Sequence, residues 1–578
     1  MTASSAPTGA DTGSRDAVVP TTEAQRSGAL HPGPMKTRSA PSVTPLLISA
    51  AGGWLTNLAF PDRGWWPLAY LGVALLLIAL RDLRTVQSGL TGLVWGLAFF
   101  LPHVHWAALA TGSPLPWIAL SLSQAFYVAG FAIAWTVARQ AAWVREHPLI
   151  QTAVAAAVWV AIEQVRGSWP FGGFPWGILA FSQVDAPVLP LAAYGGEVLV
   201  SATVVVIAGL IALAATQERR SSHSAVLGVA CVVAALSIGP SLLPLSTGAE
   251  AGELRVGAVQ GDVPQQGAHW AAQAREVTAN HAAGTQRLAE SVESDGLDLL
   301  LWPESAADID PRTDAEQAAL VEAAAEAVDA PLLMGTQRFP DGQDIRYNEM
   351  VLWQADQGAG SAYAKQHPVP FGEYVPYRDL FRRITPLVDL IGTDMAAGTD
   401  PAEMSVPVER LGRAVDVTVG ICFEVAYADL IGEGVRGGGE LIVIPTNNAS
   451  FGHSQESTQQ LAMSRFRAVE HGRATVQIST VGASGIVLPD GTVVQRTGLF
   501  TSEQMAATLP LRTSLTPATR LGTAPRTTVW VLAAAAVAGG ALSRRTRHSG
   551  RQLLDAGRQE VHHGAHDEFL RGRSSVKA

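Results

Sequence analysis

Seven long apolar stretches dominate the first half of this 578-residue chain. A transmembrane helix needs about 17 to 25 consecutive apolar residues, and its backbone polar groups must be paired inside the helix because the bilayer core offers no water. The stretches that meet this requirement lie at about 42–60, 65–80, 88–111, 114–138, 149–165, 188–215 and 224–244. An eighth apolar segment, TTVWVLAAAAVAGGALS, follows at 527–543. We therefore predict a polytopic α-helical membrane domain, with a separate domain between the seventh and eighth spans.

Charge and cysteine content exclude several classes of protein. Charged residues make up 16% of the chain, against about a quarter in a typical soluble domain, and long stretches before residue 250 contain almost none. The net charge of −10 and the pI near 5.8 indicate no basic surface for nucleic acid. Two cysteines exclude a disulfide-rich scaffold. One of them, Cys231, lies in an apolar stretch, where packing as a small apolar side chain is its simplest interpretation.

Basic residues mark every second loop between the predicted spans. Lys and Arg concentrate on the cytoplasmic side of membrane proteins, so this alternation predicts the orientation. The positions are Lys36 and Arg38 before the first span, Arg81 and Arg84 after the second, Arg139 and Arg145 after the fourth, Arg219 and Arg220 after the sixth, and Arg544, Arg545 and Arg547 after the last. We expect both termini in the cytoplasm and the domain between the last two spans outside it. The Gly- and Pro-rich segment RGSWPFGGFPWG (166–177) predicts an interfacial or re-entrant loop with its Trp residues at the headgroup level.

Changes in composition divide the chain into five parts. Residues 1–41 are rich in Ser, Thr, Ala, Gly and Pro without apolar periodicity, which predicts a disordered cytoplasmic tail. The remaining parts are a membrane domain of about seven helices (42–248), an extracytoplasmic domain (249–525), a final transmembrane helix (526–543) and a cytoplasmic C-terminal tail (544–578).

The extracytoplasmic part alternates strand-like and helical patterns. Short runs rich in β-branched and other apolar residues predict strands at 254–261, 297–305, 330–337, 348–354, 415–424, 440–448 and 475–491. Ala-rich helical patterns separate several of them, as at 312–328 and 455–472. This alternation predicts a layered α/β domain.

Three residues with reactive side chains lie in or just after apolar runs of this domain. Glu304 follows LDLLLWP, Lys365 lies in SAYAKQHPVPFGEYVP, and Cys422 follows VDVTVGI. Taken singly, each has a structural explanation: a turn or helix cap for the carboxylate, a solvated surface charge for the lysine, and buried packing for the cysteine. Their occurrence together, in the order Glu, Lys, Cys, favours a catalytic group.

The motifs WPES, K-x-H-x-VPFGEYVP and GICFE, which contain these residues, resemble the three signatures of the nitrilase superfamily. That resemblance implies an α-β-β-α sandwich and a Glu-Lys-Cys triad. The spans on both sides of the domain make the chain similar to the bacterial apolipoprotein N-acyltransferase family, the membrane-embedded branch. VQGDVPQ (259–265), FGGFPWG (171–177) and QQLAMSRFRAVEHGR (459–473) also match that family.

The resemblance implies an acyl transfer through a thioester. Cys422 would be the nucleophile, Glu304 the proton acceptor and Lys365 the oxyanion stabiliser. The thiol, activated in part by the charge of Lys365, would take an acyl chain from a membrane phospholipid. It would pass the chain to the α-amine of the N-terminal S-diacylglyceryl-cysteine of an apolipoprotein. We expect no metal and no cofactor.

Further residues match family positions. Glu373, Glu424, Asn348 and Trp270 are candidates for supporting or substrate-binding roles, with helix caps and core packing as the alternatives. Glu424 would orient Lys365 or hold the incoming amine. The chain departs from the family pattern at Phe423, where a Tyr is expected, and at Ser450, where a Trp is usual.

Two other functions compete with N-acyl transfer. A membrane-tethered nitrilase-like amidase or hydrolase would use the same acyl-enzyme but release the acyl group to water. A non-catalytic membrane scaffold would hold a partner glycosyltransferase, and a separate polyprenol-phosphate mannosyltransferase is a candidate partner. The spans favour a lipid donor, and the intact Glu304, Lys365 and Cys422 argue against an inactive scaffold.

Overall fold

A computed structural model describes residues 43–216, 223–263, 270–291 and 296–546. The N- and C-terminal tails that the sequence predicts lie almost entirely outside these residues, as does the side chain of Trp270. The described chain consists of a helical part and an α/β part, with a final helix after the latter.

The helical part contains nine α-helices, counted within the described residues. They are α1 (Thr44–Leu58), α2 (Pro67–Ala79), α3 (Thr85–His103), α4 (Trp106–Thr111), α5 (Pro114–Ala138), α6 (Ala142–Arg145), α7 (Pro148–Arg166), α8 (Ala192–Thr216) and α9 (His223–Ile238). Each of the seven predicted apolar stretches contains one main helix. The eighth segment lies in a last helix, Ala524–Thr546, which we call α16.

Five helical segments are long and apolar enough to cross a membrane. They are Thr85–His103, Pro114–Ala138, Pro148–Arg166, Leu189–Thr216 and Ala524–Thr546. The other three predicted spans contain helices of only 15, 13 and 16 residues, α1, α2 and α9. These three helices are shorter than the roughly 20 residues needed for a perpendicular span. Of the eight predicted spans, five therefore contain a helix long enough to cross a membrane.

Breaks in two long helices have local causes. The predicted stretch 88–111 is divided because α3 ends at His103, directly after Pro102, and the short α4 begins at Trp106. Helix α8 is interrupted at Gly195 and Gly196, where the backbone leaves the helical region and Gly196 has a φ of 63°. A side chain at Gly196 would collide with the carboxylate of Glu470, so this glycine permits a close approach of the two parts of the chain.

The α/β part contains two mixed sheets. The thirteen strands in the described residues are β1 (Glu253–Gln260), β2 (Leu299–Leu301), β3 (Leu332–Arg338), β4 (Ile345–Gln354), β5 (Gly358–Ala364), β6 (Asp394–Met395), β7 (Glu403–Val408), β8 (Arg413–Val419), β9 (Leu441–Thr446), β10 (Thr475–Ser479), β11 (Gly485–Val487), β12 (Val493–Arg496) and β13 (Glu503–Pro510). The first sheet has the order β13-β1-β2-β3-β4-β5, with β6 beside β4, and the second has the order β12-β11-β10-β9-β8-β7. Strands β1–β3 pair in parallel, as do β8–β10.

The two sheets pack face to face between helices. Leu254 and Leu333 of the first sheet share one buried core with Val417 and Val443 of the second. The remaining helices are α10 (Trp270–Ser291), α11 (Ala315–Val328), α12 (Arg378–Arg382), α13 (Ala428–Gly437), α14 (Glu456–His471) and α15 (Pro517–Leu521). Helices α10 and α11 cover the first sheet, whereas α13 and α14 pack beside strands of the second. This arrangement is the expected α-β-β-α sandwich.

The strand predictions differ from the structure in two respects. The run 475–491 contains two antiparallel strands, β10 and β11, because the chain turns at the small residues between them. Strands β5, β6, β7, β12 and β13 were not predicted, since they are very short or alternate small, polar and apolar residues without a long β-branched run.

The α/β part packs on one end of the helical part. Pro102 accepts a hydrogen bond from Gln455 Nε2 at 2.8 Å, and Arg465 forms an ion pair with Asp185 at 2.8 Å. At the other end, Arg139 Nη1 donates to the carbonyl of Arg81 at 2.7 Å, and Arg81 donates to Thr216 at 3.1 Å. The basic loops and the α/β part are therefore at opposite ends of the bundle.

Candidate active site

Cys422 follows the carboxyl end of β8 in a turn of unusual backbone geometry. Its φ is 55°, in the left-handed region that non-glycine residues rarely adopt, and it begins a 3₁₀ turn, Cys422–Ala426. Gly420 precedes it, where a Cβ would collide with Ile431. The strand and the turn present the thiol at the edge of the sheet, and the side chain is partly buried.

Glu304 lies just beyond β2, separated from it by Trp302 and Pro303, and is 4% exposed. Asn348 Nδ2 donates to its Oε1 at 2.6 Å, and the backbone N–H of Asn447 donates to its Oε2 at 2.8 Å. Lys365 Nζ lies 3.5 Å from the same Oε1. These three donors hold the carboxylate in one orientation between the ends of strands from both sheets.

Lys365 directly follows β5 and is completely buried. Burial by itself would lower the pKa of its ammonium group, but the carboxylates of Glu373 and Glu304 outweigh this and raise the pKa well above the usual range. Glu373 Oε1 accepts from Lys365 Nζ at 2.6 Å, and its Oε2 accepts from the N–H of Val369 at 2.7 Å. The two carboxylates therefore favour the charged form of the lysine, and the shorter contact is the one with Glu373.

The charges around Cys422 keep its thiol protonated. Burial raises the pKa of the thiol strongly, the negative charge of Glu304 raises it further, and the positive charge of Lys365 opposes both. We expected Lys365 to favour the thiolate, and its charge does act in that direction, but burial and Glu304 prevail. A neutral thiol needs a base at the moment it attacks, and Glu304 is the neighbouring carboxylate.

Glu424 links the turn that begins at Cys422 to the segment that carries Lys365. Its carboxylate accepts hydrogen bonds from the N–H groups of Ile421 (2.7 Å), Gln366 (2.7 Å) and His367 (3.0 Å), and from the hydroxyl of Tyr363 (3.0 Å). Burial raises the pKa of Glu424 to about 7. Among the described hydrogen bonds, Lys365 Nζ donates to Glu373 and Glu304. Glu424 instead accepts from backbone N–H groups on both sides of the site.

A buried polar network beside the thiol was not predicted. Gln460 Nε2 lies 3.6 Å from Cys422 Sγ, and its Oε1 accepts from Thr446 Oγ1 at 2.8 Å and from Asn448 Nδ2 at 2.9 Å. Asn448 Nδ2 also donates to Glu456 Oε2 at 2.8 Å. Polar residues at helical spacing along α14, at positions 456, 460, 464 and 467, were the available signal.

The two departures from the family pattern lie in different environments. Phe423 is buried, and its ring stacks on Trp176 (centroids 5.8 Å apart) and on Phe174 (5.7 Å). The two Trp residues of the 166–177 loop differ in environment: Trp169 is exposed, whereas Trp176 is 1% exposed and its Nε1 donates to Gln459 of α14 at 2.7 Å. Their position at the headgroup level stays a prediction. Packing of the 166–177 loop against the α/β part explains the burial of Trp176. Ser450 is exposed in a short 3₁₀ turn, Ala449–Phe451.

Elsewhere in the described residues, one group of three carboxylates is spaced closely enough to hold a metal ion. Glu322 and Glu326 of α11 lie within 4.8 Å of Asp356, counted between their ligand atoms. This group is on the outer face of the sandwich, partly exposed, and Glu322 already accepts from the indole of Trp353 at 2.6 Å. It has no part in the chemistry described here.

Comparisons with known proteins match both parts of the chain. Residues 52–210 match the family model of the apolipoprotein N-acyltransferase N-terminal domain, and residues 255–514 match that of carbon-nitrogen hydrolases. The chain is 34% identical to the apolipoprotein N-acyltransferase of Mycolicibacterium smegmatis, covering 83% of this chain and 82% of that protein. It is 31% identical to the enzyme of the same name from Azotobacter vinelandii, covering 86% and 95%.

Solved structures that resemble the chain include an amidase of the nitrilase superfamily from Nesterenkonia. The identity is 17%, the match covers 50% of this chain and 99% of the amidase, and the TM-score is 0.35.

Proposed function

This chain belongs to the apolipoprotein N-acyltransferase family, and we propose that it performs the family reaction with Cys422 as nucleophile, Glu304 as base and Lys365 as oxyanion stabiliser. It is a membrane-bound acyltransferase with a lipid donor and a lipoprotein acceptor. The observation that supports the three roles best is the convergence of these side chains, from ends of three different strands, into one buried charged cluster.

The first half-reaction loads the enzyme. The Cys422 sulfur attacks the ester carbonyl of a phospholipid while Glu304 accepts the thiol proton. The ammonium group of Lys365 stabilises the oxyanion of the tetrahedral intermediate. When the ester C–O bond breaks, Glu304 gives the proton to the departing oxygen. The products are a lysophospholipid and an acyl thioester on Cys422.

The second half-reaction transfers the acyl group from Cys422 to the acceptor. The α-amine of the S-diacylglyceryl-cysteine attacks the thioester carbonyl, the same lysine stabilises the new oxyanion, and Glu304 removes a proton from the amine. The C–S bond breaks, the sulfur recovers a proton, and the product is an amide. The buried site, with Lys365 completely inaccessible and Glu304 4% exposed, favours transfer to an amine over release to water.

The supporting residues have distinct proposed roles. Glu373 orients Lys365, Asn348 orients Glu304, and Glu424 joins the turn of Cys422 to the segment after β5. Trp270 stays a candidate for substrate contact from the family match alone.

Orientation in the membrane is part of the proposal. We infer that the α/β part and its site are extracytoplasmic and that both termini are cytoplasmic. The position of Arg81 and Arg139 at the end of the bundle opposite the α/β part supports this, because basic loops favour the cytoplasm. A separate polyprenol-phosphate mannosyltransferase stays a predicted partner, which co-purification with the full chain would test.

The decisive experiment is intact-mass analysis of the purified full chain after incubation with phospholipid carrying an isotopically labelled acyl group. We expect one added acyl group on the wild type and on Cys231→Ala, and none on Cys422→Ala. Cys422→Ser should also fail to load, because an alkoxide is much harder to form than a thiolate. Normal loading of Cys422→Ala would contradict the proposed nucleophile. Rapid loss of the label to water in the presence of acceptor would favour the hydrolase.

A further inference from the structure

Gln460 lies against the sulfur of Cys422. It is completely buried on α14, and its Nε2 is 3.6 Å from Cys422 Sγ, within the longer range of hydrogen bonds to sulfur. Resting on the proposed function, in which Cys422 is the nucleophile, we propose that Gln460 is a further catalytic residue. It donates a hydrogen bond to the Cys422 sulfur and stabilises the thiolate as it forms and as it leaves.

The direction of this hydrogen bond follows from a chain of neighbours that begins at a backbone group. The N–H of Gly482 can only donate, and it donates to Ser479 Oγ at 2.8 Å. The hydroxyl proton of Ser479 then goes to Asn448 Oδ1 at 2.6 Å. This fixes the amide of Asn448, whose Nδ2 donates to Gln460 Oε1 at 2.9 Å.

The orientation of Asn448 in turn fixes that of Gln460. With Oε1 accepting from Asn448 Nδ2, the Nε2 group of Gln460 must face the sulfur. The hydroxyl of Thr446 lies 2.8 Å from the same Oε1 and also lies beside the thiol. Turning the glutamine amide over would place its donors against the donor of Asn448. Asn448 is 2% exposed, and Thr446 and Ser479 are completely buried, so water does not compete within this network. Donation to this carbonyl also polarises the amide and strengthens its N–H groups.

A donor at the sulfur has a defined effect in both half-reactions. In the first, negative charge develops on sulfur as the proton passes to Glu304, and the N–H of Gln460 becomes a charge-assisted donor. In the second, the C–S bond breaks and sulfur leaves with the bonding electrons until it is protonated again. Lys365, engaged by Glu373 and aimed at the acyl oxygen in the proposed mechanism, does not duplicate this contact.

The test replaces the donor and follows the thiol directly. In the full chain carrying Cys231→Ala, the rate of alkylation of Cys422 by iodoacetamide is measured from pH 6 to 10, together with thioester formation from labelled phospholipid. We expect Gln460→Met, which keeps length but lacks the donor, to shift the alkylation profile to higher pH and to slow thioester formation about ten- to hundredfold. Gln460→Glu keeps the shape and should shift the profile at least as far, which provides the test if the Met variant does not fold.

Gln477→Met is the matched control. Gln477 is also completely buried, and its Nε2 donates to the carbonyl of Ala483 at 2.9 Å rather than to sulfur. This variant should keep the wild-type alkylation profile. An unchanged alkylation profile in both Gln460 variants would overturn the proposal, even if acyl transfer were slower. This outcome can be distinguished from failure of the proposed function. If Cys422 were not the nucleophile, the Cys422→Ala variant would still form the acyl-enzyme, whatever the Gln460 variants do.

Discussion

At the scale of single residues, opposing charges set the state of the thiol. Cys422 is held as a neutral thiol by burial and by the negative charge of Glu304, against the attraction of Lys365. A protonated nucleophile beside its own base resists unwanted alkylation and oxidation when no substrate is bound, because the thiolate is the reactive form. In the proposed mechanism Glu304 thus has two effects of opposite sign, since its charge raises the pKa of the thiol and yet its carboxylate removes the proton during attack.

These two effects can be separated with Glu304→Gln, which keeps the shape and removes the charge and the basicity. Alkylation of Cys422 by iodoacetamide at pH 7 should become faster, by about tenfold, because a group that raises the thiol pKa is gone. Thioester formation should slow by about 100-fold or more because the base is missing. Parallel slowing of both reactions would show that the charge of Glu304 does not raise the thiol pKa.

At the scale of elements, helix α14 carries the polar network beside the thiol of Cys422. Glu456 in its first turn is 2% exposed, and burial raises its pKa to about 8, helped by the charge of Glu304 and opposed by the hydrogen bond from Asn448. This carboxyl is therefore neutral at pH 7 and accepts from Asn448 through one oxygen. A helix that buries polar groups at every turn needs each of them paired, which makes its orientation specific.

The raised pKa of Glu456 predicts a pH dependence of stability. Its folded pKa of about 8 is above the value near 4.5 in the unfolded chain, so the folded state binds more protons between these values. Stability should therefore fall as pH rises from about 4.5 through 8, with a slope of at most about 1.4 kcal/mol per pH unit from this group. Glu456→Gln should lose less apparent melting temperature between pH 6 and pH 9 than the wild type.

The control for this measurement is Glu409→Gln, which alters an exposed carboxylate in the α/β part. It should follow the wild-type dependence on pH. Equal loss of melting temperature in wild type and Glu456→Gln would mean that Glu456 titrates alike in the folded and unfolded chains.

At the scale of the whole molecule, one buried arginine joins the turn of Cys422 to the helical part. Arg467 is completely buried, and it donates to the carbonyls of Val425 (2.9 Å) and Ala426 (2.8 Å), at the end of the 3₁₀ turn that begins at Cys422. It also forms ion pairs with Glu470 and, at 3.0 Å, with Glu197 of α8. The N–H of Glu197, just after the break in α8, donates to Glu470 at 3.3 Å. The turn of Cys422 is thus positioned by a membrane helix as well as by its own sheet.

Removing Arg467 should therefore cost both stability and activity. Arg467→Met leaves Glu197 and Glu470 buried without their cation, and loss of one partner of a buried pair costs about 3–5 kcal/mol. We expect a large fall in apparent melting temperature in detergent and little thioester formation. Asp185→Asn removes the exposed partner of Arg465 and should change both by little. Near wild-type loading by folded Arg467→Met would show that this junction does not position the nucleophile.

The proposed orientation can be tested on intact cells with a membrane-impermeant thiol reagent. Gln357→Cys lies in the exposed turn between β4 and β5, and Asp82→Cys lies in the exposed loop between α2 and α3. In a background with both Cys231→Ala and Cys422→Ala, the first site should be labelled and the second labelled only after permeabilisation. The reverse result would place the α/β part in the cytoplasm.

The sequence alone determined the features that depend on composition and local periodicity. Runs of apolar residues predict membrane helices wherever they occur, and short β-branched runs predict the central strands, because burial in a bilayer or a sheet requires a continuous apolar surface. Glu304, Lys365 and Cys422 could be proposed because each lies in a short motif with its own recognisable neighbours. The structure brings these three together.

Only the tertiary structure decided which distant groups meet. Gln460 reaches the sulfur across 38 positions of sequence, and Arg467 reaches Glu197 across 270. The sequence did not indicate that Trp176 is buried against the α/β part. It also did not indicate that three apolar segments form helices too short for a perpendicular membrane span. The reason is physical: the local sequence around a polar or aromatic residue is the same whether its side chain faces lipid, water or another buried group. Its partner is set by how the elements pack, which no short stretch of sequence encodes.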